Sequence, residues 1–231
     1  WEYLRRVVNF VMAHWKEPDN GIWETRGGRQ HFVFSKVMCW VAMDRAIKAA
    51  TALELPGDID VWRKVREEIK TEVMDRGYSE ERQAFVQCYG NNNLDAANLM
   101  LPLVGFIPAT DPKMRSTIRS IQAELTSPKG FVYRYTNFDD GLGGTEAAFT
   151  ICTFWLADNL ILLGELDEAR KLYDAAMGCA NDLGLLSEEF DSATKEMLGN
   201  FPQALSHLAM INTAVQLQKA SGGATSGPDR A

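Results

Sequence analysis

Two acidic clusters are the groups in this chain best placed to do acid–base chemistry. The first is Glu24, which follows Trp23 within GIWETRGG, and the second is the pair Glu188 and Glu189 within SEEFD. Both clusters fall in loop-like breaks between helical stretches. A glycosidic bond is stable in water, and enzymes that cleave it commonly use one protonated carboxyl and one carboxylate. The clusters therefore predict an acid/base pair supplied by distant parts of the sequence.

The residues beside Glu24 allow two interpretations. The ring of Trp23 would shield the carboxyl from water and so favour the protonated form that a general acid needs, whereas Arg26 would favour the ionised form. A surface salt bridge between Glu24 and Arg26 is the alternative, because exposed charge pairs are common. Glu188 and Glu189 alone would likewise indicate a solvated acidic loop. Neither cluster is decisive by itself.

A third group of polar residues lies in the join between residues 128 and 144. Its Arg134 and Asp140 are of the kind that recognise sugar hydroxyls by paired hydrogen bonds, and its glycines permit tight turns near a ligand. A glycine-rich turn that caps the next helix is the alternative. Aromatic faces suit the apolar faces of sugars, although Trp155 lies in an apolar run typical of a buried helix. The candidates for stacking are Trp23, Trp40, Tyr133 and Trp155.

Several other chemistries lack their sequence patterns. The three histidines, His14, His31 and His207, lie on separate elements without an H-E-x-x-H or H-x-H pattern, so we predict no metal site. There is no G-x-S-x-G for a nucleophilic serine and no G-x-G-x-x-G for a dinucleotide. We therefore expect chemistry that needs no cofactor.

Composition narrows the class of protein. The chain has 231 residues, of which 46% are hydrophobic and 24% charged, and its formal net charge is -7. Lysine and arginine form no basic stripe, so we expect no nucleic-acid partner. The four cysteines are far apart without C-x-x-C spacing, which predicts reduced core thiols. No segment is typical of a signal peptide or a membrane span, so we expect a cytoplasmic protein of undetermined oligomeric state.

Apolar residues recur at helical spacing in eight stretches, which predicts an all-α protein. We expect Ser35 to cap the second helix, Asp111 to cap the fifth with Pro112 in its first turn, and Pro202 to lie in the first turn of the eighth. Long joins recur at every second connection, as in helical hairpins around a common centre. The predicted helices span residues 1–17, 35–53, 60–77, 94–104, 111–127, 146–163, 166–180 and 201–220.

The predicted domain covers residues 1–220, and residues 221–231 have the composition of a flexible tail. The first residue is Trp1, and the opening sequence WEYLRRVVNFVMAHW already has the pattern of the middle of a helix. We therefore expect a fragment of a longer domain. Strand signals are confined to short pieces such as Phe131 to Tyr135.

Three long motifs in order, PDNGIWETRGGRQHFVFSKVMCWVAMDRAIKAA, DDGLGGTEAAFTICTFWLADNL and LLSEEFDSATKEMLGNFPQALSHLAMINTA, resemble glycoside hydrolase family 15 over residues 1 to about 219. That family contains glucoamylases, glucodextranases and bacterial trehalases. The resemblance implies an (α/α)6 toroid of the six-hairpin type, of which this chain would supply about eight of twelve helices. The upstream part of the family's domain, including an Arg-Asp pair that grips glucose, has no match here.

The resemblance also implies roles for individual residues. Glu24 matches the family's general acid and Glu188 its general base, although a shift of one residue would exchange Glu188 with Glu189. Arg134 and Asp140 resemble the family's sugar-binding residues. The other positions implied to bind substrate are Trp23, Arg26, His31, Glu146 and Trp155, whereas Pro202, Gln203 and His207 would be mainly structural.

The resulting hypothesis is an inverting, exo-acting glycoside hydrolase that releases glucose from α-glucosides as glucoamylases do. The two carboxyl groups should then lie roughly 6.5–9.5 Å apart, which leaves room for the attacking water. Hydrolysis of α,α-trehalose is the alternative within the family. A non-catalytic carbohydrate-binding or regulatory domain is the alternative from another class, since the regulatory subunits of phosphorylase kinase carry a glucoamylase-like region.

Overall fold

The computed structural model describes residues 1–135 and 147–222, and its regular structure is mainly α-helical. The described residues form two compact units, one comprising residues 1–120 with Tyr135 and the other residues 121–134 and 147–222. The all-α class predicted from the sequence is confirmed. The predicted residues Asp140 and Glu146 lie outside the described residues.

The first unit contains five helices and one short hairpin within its described residues. The helices are α1 (Glu2–His14), α2 (Val33–Ala52), α3 (Ile59–Arg76), α4 (Met100–Leu103) and α5 (Pro112–Glu124), the last of which ends in the second unit. A 3₁₀ helix (Ala96–Leu99) runs into α4. Strands β1 (Tyr78–Ser79) and β2 (Ala84–Phe85) form an antiparallel pair after α3.

Helices α2 and α3 form a hairpin whose apolar faces make much of this unit's core. The side chains of Val37 and Met43 on α2 and of Trp62 on α3 are fully buried. The turn between the helices is closed by Gly57, where a Cβ atom would lie 2.2 Å from the Trp62 ring. Burying a side chain of this size contributes roughly 3 kcal/mol, so the hairpin is a firm support for the loop that precedes α2.

The second unit is built on α6 (Thr150–Leu162), which is buried as its sequence predicts. It packs against α7 (Leu166–Met177) and α8 (Ala204–Ala220). A cluster of buried apolar side chains joins Phe154 of α6 to Ala176 of α7 and Ala209 of α8, and it includes Leu186. Since Leu186 lies two residues before Glu188, the core of this unit also fixes the segment that carries the second acidic cluster.

A three-stranded antiparallel sheet lies beside these helices. Its strands are β3 (Ala148–Phe149), β4 (Glu189–Asp191) and β5 (Glu196–Leu198), in the order β3-β4-β5. Ala148 pairs with Phe190, and Phe190 pairs with Met197. Asp191 closes the β4–β5 turn by accepting a hydrogen bond from Ala193 N (2.7 Å), and this bond is the main reason that the pKa of Asp191 is lowered.

The helical stretches agree with the sequence-based expectations apart from some of their ends. Asp111 accepts a hydrogen bond from Lys113 N (2.9 Å) at the start of α5, as an N-cap does. Ser35 does not cap α2: the helix begins at Val33, because Phe32 is held in a β-bridge with Cys88. The start expected for the sixth helix is also too early, since Ala148 and Phe149 form β3.

The eighth helix likewise begins later than expected. Pro202 lies before α8 rather than in its first turn, and it follows a cis peptide bond. Gln203 is the residue that caps this helix, because its side chain accepts a hydrogen bond from Leu205 N. All four cysteines are free thiols, but only Cys88 and Cys152 are buried, so the predicted core position is confirmed for those two alone. Among the helices that the structure describes, none is both long and apolar enough to cross a membrane.

Candidate active site

Glu24 lies in the loop between α1 and α2, and a buried lysine anchors the beginning of that loop. Lys36, on the first turns of α2, is only 1% exposed. Its ammonium donates hydrogen bonds to the carbonyl oxygens of Trp15 (2.6 Å) and Glu17 (2.5 Å), so the buried charge is compensated by two acceptors. Burial is the main reason that the pKa of Lys36 is lowered.

A second anchor closes the base of the same loop. Asp19 Oδ1 accepts hydrogen bonds from Gly21 N (2.6 Å) and from the Ser35 hydroxyl (2.8 Å). Asp19 also pairs with Gln30 in a short β-bridge, so the two ends of the loop are held together. Thr25 N donates to Asn20 O (3.0 Å). The loop around Glu24 is therefore fixed by hydrogen bonds from α2 and by hydrogen bonds between residues of the loop itself.

Glu24 itself is exposed at the tip of this frame, and its backbone has a φ of 51°. This left-handed conformation is unfavourable for a residue other than glycine and is often retained at functional sites. The neighbouring Trp23 is held by Asp95, which is 4% exposed: the indole N–H lies 3.0 Å from Asp95 Oδ1 and 3.1 Å from Oδ2. The tryptophan is thus immobilised immediately beside the exposed carboxyl.

Arg26 and His31 lie in different environments. Arg26 is exposed, and within the part of the chain that the structure describes it forms no ion pair with Glu24. The ring of His31 stacks on Tyr89 with centroids 5.9 Å apart. Burial, reinforced by the charges of Lys36 and Arg76, lowers the pKa of His31. These effects favour the neutral form of the ring, which can form hydrogen bonds without charge pairing.

Glu188 lies in the second unit, immediately before β4, and hydrogen bonds hold both its backbone and its carboxylate. Its backbone N–H donates to Asn200 O (3.0 Å), and its carbonyl accepts from Thr150 N (2.9 Å) at the start of α6. Its carboxylate Oε2 accepts from Asn200 N and from Asn200 Nδ2, each at 3.0 Å. Oε1 accepts from Gln203 Nε2 (3.2 Å). Glu188 is a half-buried carboxylate held by three N–H donors.

The N-terminus of α8 holds the backbone just before Glu188. Gln203 N donates to Leu186 O (2.9 Å), and the Ser206 hydroxyl donates to Ser187 O (2.9 Å). His207 Nε2 accepts from Leu186 N (3.2 Å), while its Nδ1 lies 2.7 Å from Gln203 O. These contacts assign the proton of His207 to Nδ1, because Nε2 must act as an acceptor. The structural role expected for Gln203 and His207 is consistent with this network.

Glu189 points to a different partner. Arg134 Nη2 lies 3.6 Å from Glu189 Oε1, and the Arg134 guanidinium lies over the Phe149 ring, 5.2 Å from its centroid. The side chains of Arg134 and Glu189 are 14% and 22% exposed. The predicted sugar-binding arginine therefore contacts a protein carboxylate in this structure, and that carboxylate belongs to the neighbour of Glu188.

Two of the other predicted residues, Trp155 and Trp40, lie in the cores of the two units. Trp155 is 8% exposed on α6, and Trp40 is buried on α2 with its ring edge-to-face against Phe106. Tyr133 lines a cleft of about 190 Å³ together with Phe190.

In residues 1–135 and 147–222, no group of His, Cys, Asp or Glu side chains could hold a metal ion.

Three residues that frame the glutamates were not assigned roles at the site from the sequence: Lys36, Asp95 and Asn200. Asp95 precedes AANLM, which is typical of an N-cap, and its side chain does accept from Ala97 N. Its second role could not be predicted, because the bond to Trp23 spans 72 residues. Lys36 carries no local signal, since a lysine within a helix is ordinarily on the surface.

Residues 1–215 match the sequence profile of glycosyl hydrolases family 15. The chain is 43% identical over 220 residues to a trehalase of Thermoplasma volcanium, and the match covers 95% of this chain and 35% of the relative. It is 46% identical over 225 residues to a trehalase of Mycolicibacterium smegmatis, which covers 95% of this chain and 33% of the relative. The chain thus spans about a third of the length of these curated relatives.

Solved structures show the same fold at low sequence identity. A wild-type glycosidase superposes with a TM-score of 0.77 at 18% identity, which covers 91% of this chain and 58% of that one. A bacterial glucoamylase complexed with acarbose gives 0.75 at 16% identity, which covers 94% of this chain and 37% of that one. These likenesses confirm the predicted (α/α)6 fold class. The profile match over almost the whole chain shows that it belongs to glycosyl hydrolases family 15.

Proposed function

We propose that the protein is an inverting glycoside hydrolase acting on α,α-trehalose, with Glu24 as general acid and Glu188 as general base. The observation that carries this proposal is the difference between the environments of the two glutamates. Glu24 is an exposed carboxyl on a fixed loop, whereas Glu188 is a carboxylate oriented by three donors. An inverting mechanism needs one carboxyl that donates a proton to the leaving oxygen and one carboxylate that activates a water.

Trehalose is favoured over the glucoamylase-type substrates that the sequence-based hypothesis placed first. The curated relatives at 43% and 46% identity are both trehalases. The likeness to the bacterial glucoamylase is at 16% identity and supports only the fold. The alternative left open by the sequence therefore becomes our leading proposal for the substrate.

Each glutamate has one task in the proposed reaction. Glu24 gives its proton to the oxygen between the two glucose units as the bond to the anomeric carbon breaks. Glu188 takes a proton from a water that attacks that carbon from the opposite face. A single inverting displacement requires the two carboxyls to lie roughly 6.5–9.5 Å apart, so that the water fits between Glu188 and the sugar.

The stereochemistry of the products gives a direct test on the full-length protein. Inversion at one anomeric carbon of α,α-trehalose yields one β-glucose, while the departing glucose keeps its α configuration. Proton NMR at early times should therefore show α- and β-glucose in equal amounts. Initial formation of α-glucose alone would indicate retention and refute the proposed mechanism. Parallel assays with maltose and isomaltose test the choice of substrate, and faster turnover of either would refute trehalose as the preferred one.

The roles of the two glutamates can be separated with α-glucosyl fluoride, whose leaving group departs without needing a proton. Glu24→Gln should lower kcat on trehalose by about 10²–10⁴-fold while largely preserving hydrolysis of the fluoride. Glu188→Gln should impair both substrates, because both need an activated water. Equal losses on both substrates for Glu24→Gln would refute its role as the acid.

A further inference from the structure

We infer that Asn200 and Gln203 are positioning residues that orient the Glu188 carboxylate and leave one acceptor position, on Oε1, for the attacking water. This inference rests on the proposed function. A carboxylate offers about four acceptor positions on its two oxygens. Among the residues that the structure describes, three donors bind Glu188, and they fill both positions on Oε2 and one on Oε1. The remaining position is therefore confined to a single oxygen.

The donors constrain the carboxylate more strongly than a single contact would. The backbone and side-chain nitrogens of Asn200 both bind Oε2, which fixes where that oxygen lies. Gln203 binds the other oxygen and so fixes the rotation of the carboxylate plane. A base must hold its free lone pair towards one water, so fixing this rotation is of direct use to the proposed reaction.

The donors are themselves held in place. The Gln203 amide is oriented from both ends, since its oxygen accepts from Leu205 N (3.3 Å) while its nitrogen donates to Glu188. Asn200 is tied to Glu188 through its backbone as well, because Asn200 O accepts from Glu188 N (3.0 Å). The α8 N-terminus and the end of the β5 hairpin thus act together on one carboxylate.

Gly199, the residue before Asn200, lies close against the Glu188 carboxylate. Gly199 has a φ of 72°, and a Cβ atom placed on it would lie 2.6 Å from Glu188 Oε2. Such a distance is shorter than any ordinary van der Waals contact, so a side chain at position 199 would displace the carboxylate. Glycine is needed here both for the backbone conformation and for the space beside Glu188.

The test uses two variants of the full-length protein that remove one side-chain donor each. Asn200→Ala keeps the backbone donor and truncates an exposed side chain. Gln203→Glu keeps an oxygen to accept from Leu205 N, but in its ionised form it presents a second carboxylate to Glu188 in place of the amide donor. The matched controls are Asn212→Ala and Gln218→Glu, both at exposed positions of α8. Measurements are kcat and KM on trehalose and on α-glucosyl fluoride, with thermal unfolding recorded for every variant.

A positioning role predicts a fall in kcat of about 10- to 100-fold on both substrates, with KM and the unfolding temperature close to those of the controls. Both substrates should be affected because both require the activated water. A purely structural role would lower the unfolding temperature without lowering kcat of the folded protein, and that result would overturn the inference. Unchanged kinetics in both variants would overturn it as well.

A further variant separates failure of this inference from failure of the proposed function. If Glu188→Gln abolishes activity while Asn200→Ala and Gln203→Glu retain it in full, Glu188 is the base and the positioning role alone is wrong. If Glu188→Gln keeps full activity on both substrates, the assigned base is wrong and the inference falls with it.

Discussion

Asp158 should make the stability of the second unit fall as pH rises. It is the only Asp, Glu, Lys, Arg or His on α6, its side chain is 4% exposed, and its Oδ1 has no hydrogen-bond partner among the described residues. Burial raises the pKa of Asp158 from 3.8 to about 6, against a smaller opposing effect of the Thr213 hydroxyl on α8. The charged form is therefore unfavourable between α6 and α8.

The size and direction of the effect follow from this pKa. Below pH 3.8 the carboxyl is protonated in both the folded and the unfolded chain, so it costs nothing. Between 3.8 and about 6 it ionises only in the unfolded chain, and stability is lost steadily. Above about 6 the loss is complete. A shift of about two pH units corresponds to about 3 kcal/mol in the free energy of unfolding.

Asp158→Asn removes the ionisation but keeps the shape of the side chain. We expect the variant to be more stable than the wild type at pH 7.5 by up to about 3 kcal/mol, and close to it at pH 4. Urea unfolding of the full-length protein at both pH values measures the difference. Asp182→Asn, in an exposed turn, is the matched control. An equal difference between wild type and Asp158→Asn at both pH values would refute the reasoning.

Two further predictions concern the frame of Glu24. Asp95→Asn removes one carboxylate oxygen facing the Trp23 indole, so we expect kcat of the folded protein on trehalose to fall about 10-fold. An unchanged kcat would show that Trp23 needs no such anchor. Lys36→Met leaves two loop carbonyls without their donor, so we expect the free energy of unfolding, measured in urea, to fall by about 2–4 kcal/mol. The control Lys64→Met, at an exposed position, should change it by nearly nothing. Equal losses of stability in the two variants would contradict the role of Lys36.

The helices were predictable because the spacing of apolar residues is a local property of the sequence. The burial of α6 and the cap at Asp111 follow directly from such local patterns. The strands β4 and β5 were missed because three residues are too few to show alternation. Their existence depends on pairing with each other and with β3, which the sequence alone does not encode locally.

The same distinction applies to the candidate site. The motifs around Glu24 and Glu188 singled out the two glutamates, but they carried no information on what holds each one. Trp23 is anchored by Asp95, 72 residues away, and the Glu188 carboxylate by Gln203, 15 residues away. Such contacts arise only when the elements are packed. Sequence reasoning thus found the proposed reacting groups and missed most of the residues that position them.

The different partners of the glutamates also bear on the choice between Glu188 and Glu189. A general base must keep a lone pair for water and should not be neutralised by a nearby cation. Glu189 lies 3.6 Å from the Arg134 guanidinium, whereas the donors to Glu188 are neutral amides. Arg134 thus occupies the Glu189 carboxylate in an ion pair, whereas the amides orient the Glu188 carboxylate and add no charge beside it. These contacts support our proposal of Glu188, rather than Glu189, as the base.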